Sequence, residues 1–142
     1  MLDKNRILSK LDELDSYIKE LESIKPKTYK EYTSSIEKKR SCERLLHILI
    51  ETVIDVCAHI VKGLRLGLPA EEEDLFEKLE KNKIISKKTK QKLKSMRGFR
   101  NILVHRYADV DNELVFENLG HINDFENFKK EIGSFLRKHQ KQ

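Results

Sequence analysis

Leu45-Leu46-His47-Ile48-Leu49-Ile50-Glu51-Thr52-Val53-Ile54-Asp55-Val56-Cys57-Ala58-His59-Ile60-Val61 is the stretch on which the fold turns. It contains no glycine or proline and is apolar around most of a helical circumference. Such a helix sits at the centre of a bundle, or is buried further by a partner chain. Glu51, Asp55 and His59 interrupt it, so it does not approach the ~20 apolar residues of a membrane span.

Outward from this core, the helical pattern extends back to about Tyr29 and on to Lys62, predicting one long helix. Before it, Ile7, Leu11, Leu14, Ile18 and Leu21 recur at spacings of three and four, which predicts an amphipathic helix over about Asp3 to Ile24. Lys25-Pro26-Lys27-Thr28 ends that helix, with Thr28 placed to cap the next. After it, Gly63, Gly67 and Pro69 mark a loop. Glu71, Glu72, Glu73 and Asp74 then open a short helix that buries Leu75, Phe76 and Leu79; acids in a first turn suit the helix dipole, so the cluster is read as structural. A further helix is expected from Ser86 or Thr89 to His105, a less regular stretch from Tyr107 to Asn118, and a last helix from about His121 to Lys138. The expectation is one all-α domain over 1–142, a bundle of four long helices plus a short one.

Composition agrees. Only 5 Gly and 2 Pro occur among 142 residues, too few for a turn-rich all-β fold. Cys42 and Cys57 are far apart, have no metal-ligand spacing, and read as reduced core residues of a cytoplasmic protein. The start, Met1 to Arg6, has no apolar segment of the secretory kind.

The net charge of +5 hides a division. Between Lys81 and Tyr107 stand seven Lys and Arg97, Arg100 and Arg106, with no Asp or Glu. The rest of the chain carries 29 − 10 = 19 basic against 24 acidic residues. The basic block is either a footprint for a polyanion or a solvated lysine-rich helix.

Two constellations carry candidate chemistry. Glu43, His47, Glu51, Asp55 and His59 form a ladder at four-residue spacing on the long helix, sharing a slowly drifting face. Di-iron bundles need Glu-x-x-His pairs on two helices and Glu from two more, and no other helix here supplies them. The ladder therefore reads as a supporting polar stripe, with no metal and no cofactor expected. The second constellation is Gly98-Phe99-Arg100-Asn101-Ile102-Leu103-Val104-His105-Arg106-Tyr107. Asn101 and His105 share a face, whereas Arg100 and His105 diverge by about 140° at the helical period. Two antiparallel copies of this helix could bring Arg, Asn and His together along one seam, which points to a two-fold homodimer.

This segment resembles the R-x4-6-H signature of HEPN-domain ribonucleases, with Arg100 and His105 at its ends and Asn101 as the polar residue after the Arg. It is similar in particular to the HepT toxin branch, whose R-x4-H-x-Y motif Arg100, His105 and Tyr107 match without a gap. Glu43-Arg44, Ile50-Glu51 and Ile54 to Ile60 look like that branch's long central helix, Met96 to His105 like its motif helix, and Asp124-Phe125 to Ile132 like its closing helix.

The resemblance implies a metal-independent endoribonuclease of a toxin–antitoxin system. RNA carries its own nucleophile, the 2′-OH, so His105 would move protons and Arg100 would bind the phosphate as charge develops, with Asn101 orienting either. Lys87, Lys88, Lys90, Lys92, Lys94 and Arg97 would guide the RNA backbone. The branch also implies an MNT-type nucleotidyltransferase antitoxin that transfers AMP to Tyr107. Two non-enzymatic readings stay open: an inactive bundle that binds nucleic acid, or a nucleotide-binding partner of the transferase.

Overall fold

The computed structural model describes residues 2–105 and 110–140. Those residues form seven helices and no strand: α1 (Lys4–Ile24), α2 (Tyr29–Thr33), α3 (Ile36–Gly63), α4 (Glu72–Lys81), α5 (Lys87–His105), α6 (Asn112–Leu119) and α7 (Asn123–Gln140).

The long central helix exists, but it begins later than its pattern suggests. Residues 29–62, expected as one helix, divide at Ser34 and Ser35. The Ser34 hydroxyl donates to the Lys30 carbonyl at 2.7 Å, and the Ser35 hydroxyl accepts from the Lys38 N–H at 3.2 Å. Serine side chains compete with the backbone for its hydrogen bonds, closing α2 and capping α3 at the same point. Thr28 caps α2 through the Glu31 N–H, as its position before the helix implies.

A second difference lies at residues 112–119, expected to be irregular. Asp111 caps α6 by accepting from the Glu113 N–H at 2.9 Å, and Val115 and Leu119 are fully buried. Phe116 packs edge-on to Tyr29, with ring centroids 5.6 Å apart, and lies 6.1 Å from Tyr32. The helix is fixed by this contact with α2, far away in sequence.

α3 packs against every other helix of the bundle. Its buried residues, from Cys42 to Val61, lie on several sides. The apolar girth that left a partner chain as one reading is therefore covered by the chain's own helices. Cys42 and Cys57 are both free and buried, and burial pushes both thiols up.

Ion pairs show how the helices run. Lys10 of α1 reaches Asp55 of α3 at 3.6 Å. α4 turns back along α3 after the loop 64–71, and α5 runs antiparallel to α4, with Lys90 beside Glu80 and Arg97 beside Glu72. α3 and α5 are thus parallel, and both end at the same end of the bundle. α7 is tied to α1 by Lys129 and Asp15, and Glu131 of α7 accepts from the Ser86 N–H ahead of α5.

Three carboxyls are held below their usual range: Asp15 by Lys129 and then Lys19, Asp74 by the backbone N–H groups of Glu71 and Ala70, and Glu77 by Lys94 and then Lys90. A lowered folded pKa adds stability that is complete above the unfolded value and disappears as pH falls through the folded one. The melting temperature is expected to hold between pH 7 and about 5 and to drop below about 4. Asp15→Asn combined with Asp74→Asn should make that acid limb shallower; an unchanged limb would remove these carboxyls from it.

Candidate active site

The residues singled out on α5 are held by α4 and α3. The acids of α4, read forwards as Glu72 and Glu73, Glu77 and Glu80, meet the cations of α5 read backwards as Arg100 and Arg97, Lys94 and Lys90. Lys90 donates to Glu77 at 3.3 Å and to Glu80 at 3.2 Å, and only 8% of the residue is exposed. Lys94 reaches the other oxygen of Glu77 at 2.5 Å. Arg97 Nε donates to Glu72 at 3.0 Å, and its Nη1 to Glu73 at 3.4 Å. The Lys90 amine is pushed up, chiefly by Glu80.

Four of the ten cations in the basic block, Lys90, Lys94, Arg97 and Arg100, are therefore neither a free polyanion footprint nor a solvated face: they are one side of an interhelical ion-pair ladder. Of the six basic residues expected to guide RNA, Lys90, Lys94 and Arg97 are engaged in this way. Lys87 and Lys88 are exposed, and Lys92 is half-buried.

The Arg100 side chain is only 12% exposed. Its Nη1 donates to Glu51 Oε1 of α3 at 2.6 Å and its Nη2 to Glu72 of α4, while the buried Nε has no hydrogen-bond partner. Glu51 Oε1 also lies 3.3 Å from His47 Nε2. One arginine thus joins three helices, and the planar fork of the guanidinium suits two carboxylates at once.

The rest of the polar ladder on α3 disperses. Glu43 receives Arg40 at 2.9 Å, Asp55 faces Lys10, and His59 lies at the edge of a basic depression near the end of α3. Among the described residues no group of three His, Cys, Asp or Glu is gathered as a metal site. The acidic cluster at residues 71–74 is structural, as its place in a first turn suggests. Glu72 and Glu73, however, hold Arg97 and Arg100 as well, which reading from the helix dipole alone missed. The signal available was the complementary spacing of α4 acids and α5 cations.

Asn101 is half-buried and His105 is exposed at the end of α5. Tyr107 lies outside the described residues. On the opposite side of α5 from the ladder is a groove of about 410 Å³ between α5, α6 and α7. Its floor includes Ile50, Phe99 and Phe125, and its rim Lys92, Ser95 and Asn118.

Because Glu72 serves both arginines, Glu72→Ala is expected to destabilise the fold by about 1–2 kcal/mol in urea unfolding. A double-mutant cycle between Glu72→Ala and Arg100→Ala should give a coupling above about 0.5 kcal/mol. A coupling near zero would reduce the pair to an ordinary exposed salt bridge.

The family model described as "Ribonuclease HepT-like" matches residues 14–132. The tRNA nuclease HepT of Aphanizomenon flos-aquae is 28% identical over 131 residues, covering 92% of this chain and 89% of that protein. The mRNA nuclease HepT of Shewanella oneidensis is 37% identical over 79 residues, 55% of this chain and 59% of that one. Among solved structures, a tri-AMPylated HEPN toxin of Shewanella oneidensis in complex with MNT antitoxin superposes with a TM-score of 0.84 at 28% identity, covering 94% of this chain and 99% of that one. The all-helical chain, with Arg100 and His105 on its fifth helix, belongs to the HepT-like ribonucleases.

Proposed function

We propose that the protein is a metal-independent endoribonuclease toxin that works as a two-fold dimer and is neutralised by AMP transfer to Tyr107. The observation that carries this reading is the family match over residues 14–132, together with the motif on α5.

His105, exposed at the end of its helix, takes the proton from the 2′-OH or delivers one to the departing 5′ oxygen. Imidazole suits both tasks near neutral pH. The 2′ oxygen attacks phosphorus and the bond to the 5′ oxygen breaks, leaving a 2′,3′-cyclic phosphate and a 5′-hydroxyl. Arg100 stabilises the charge that builds on the phosphate oxygens. Glu51 and Glu72 each occupy one of its Nη groups, which leaves a second N–H on each for phosphate and restrains the guanidinium plane. The 2′-OH supplies the nucleophile, and His105 and Arg100 supply the proton transfer and the charge stabilisation, so the step requires no metal. Asn101 orients His105 or the phosphate.

The divergence of Arg100 and His105 around one helix supports a shared site built from two copies. Ser95 and Gly98 are exposed on α5, and a Cβ at Gly98 would meet nothing within 4 Å, so a second helix can approach there. Of the six basic residues expected to guide RNA, Lys87, Lys88 and Lys92 are the ones not engaged by α4 and left for that task.

The partner is an MNT-type nucleotidyltransferase. In its reaction the phenol oxygen of Tyr107 attacks the α-phosphorus of ATP, pyrophosphate leaves, and the phenol proton passes to solvent. The bound nucleotide then fills the approach to His105 and repels RNA. The relatives solved as toxin–antitoxin complexes, one of them with AMP-PNP at 27% identity and a TM-score of 0.83, support this reading.

Purified protein should cleave RNA in EDTA, eluting at about twice 16.8 kDa by light scattering. His105→Ala or Arg100→Ala should lower cleavage by at least ~10²-fold while helicity is kept. Cleavage by a monomer, or abolished by EDTA, would overturn the mechanism; no cleavage at all would favour the inactive binding partner.

With the cognate transferase and ATP, intact-mass spectrometry should show additions of the mass of AMP that map to Tyr107, and modified protein should lose cleavage. Tyr107→Phe should escape modification. AMP on another residue, with Tyr107 untouched, would remove its role.

A further inference from the structure

At the end of the bundle where α3 and α5 both finish, a depression of about 330 Å³ is lined by Asp3, Arg6, His59, Lys62, Gly63 and Arg65. From the geometry of this end we infer a second phosphate-binding subsite, formed by Arg6, Lys62 and Arg65 with His59 beside them, that holds the RNA backbone away from the point of cleavage. The inference rests on the ribonuclease reading above and concerns a different part of the surface.

Three observations point to it. The first is the state of the charges. Lys90, Lys94, Arg97 and Arg100 each have a carboxylate partner, whereas among the described residues no carboxylate lies within ion-pairing distance of Arg6, Lys62 or Arg65. The one acid of the depression, Asp3, accepts the Arg6 backbone N–H at 3.1 Å as the cap of α1. Cations without internal partners are the ones able to release counterions when a polyanion binds.

The second observation is the backbone of Arg65. It adopts φ +53°, in the left-handed region, while the Leu66 N–H returns to the Val61 carbonyl at 3.0 Å to close α3. Glycine is the low-strain residue for such a closure, and a larger residue held there costs about 1 kcal/mol or more. The residue held in this conformation is one of the cations that line the depression.

The third is location. Arg100 meets Glu51, and α5 continues roughly 7.5 Å along its axis to His105 while α3 continues roughly 12 Å from Glu51 to His59. The depression therefore lies beyond the motif at the same end of the bundle, where an RNA strand leaving His105 can reach it within a few nucleotides. An extended polyanion fits a shallow, open basic surface with separate cations, each meeting one phosphate.

The test uses full-length protein in a His105→Ala background and a labelled single-stranded RNA of about ten nucleotides. Adding Arg6→Gln, Lys62→Gln and Arg65→Gly together should weaken binding by ~10-fold or more and lower the slope of log K against log salt by about 2. Arg65→Gly alone should weaken binding with an unchanged or higher melting temperature, because it relieves the backbone, and this separates binding from folding. Unchanged affinity and slope in the triple variant, while wild-type protein still cleaves RNA, would overturn the subsite and leave the ribonuclease reading intact. Weakened binding of the transferase with RNA affinity unchanged would overturn it too. If the background binds no RNA, both readings fall together.

Discussion

The arginine at the head of the motif, Arg100, stands between Glu51 of the central helix and Glu72 at the start of α4. Its side chain is 12% exposed, although both carboxylates keep access to solvent, so losing a partner would leave an enclosed guanidinium without its counter-charge. Its position on α5 is therefore determined by two other helices. Any account of what α5 does begins from that constraint.

The same constraint redistributes the charge of the molecule. α4 and α5 run antiparallel, and their charges match in reverse order, so the acids of α4 engage four of the ten cations in the block that looks most like a nucleic-acid footprint in the sequence. The helix dipole reinforces the arrangement, since Glu72 and Glu73 sit in the first turn of α4. Among the cations left without carboxylates are Lys87 and Lys88 on the exposed start of α5 and Arg6, Lys62 and Arg65 where α1 begins and α3 ends. Counting charges along the chain and counting charges available to a partner give different maps.

Much of the fold was legible from periodicity. α1, α4 and the apolar half of α3 show repeats at three and four residues, and Thr28 shows its capping role in the chain itself. The start of α3 was less visible because the apolar pattern passes over Ser34 and Ser35, whose hydroxyls end one helix and begin another. α6 was missed because its stability comes from Phe116 against Tyr29 and Tyr32, a contact no local window contains. At the candidate site, the positions of Arg100, Asn101 and His105 on one helix and the divergence of Arg100 from His105 followed from the helical period. The two carboxylates on Arg100 did not.

What the sequence determined by itself is thus the helical class, the central place of the stretch from Leu45 to Val61, and the motif that joins the chain to its family. Those properties are set by local spacing and residue type, which every short segment carries. Only the tertiary structure decided which charges face each other, which cations stay free, and which end of α3 lies beside the end of α5. Those depend on helix direction and on pairs such as Arg100 with Glu51 and Lys129 with Asp15, separated by tens of residues or more, and such pairs form only when the chain has closed on itself.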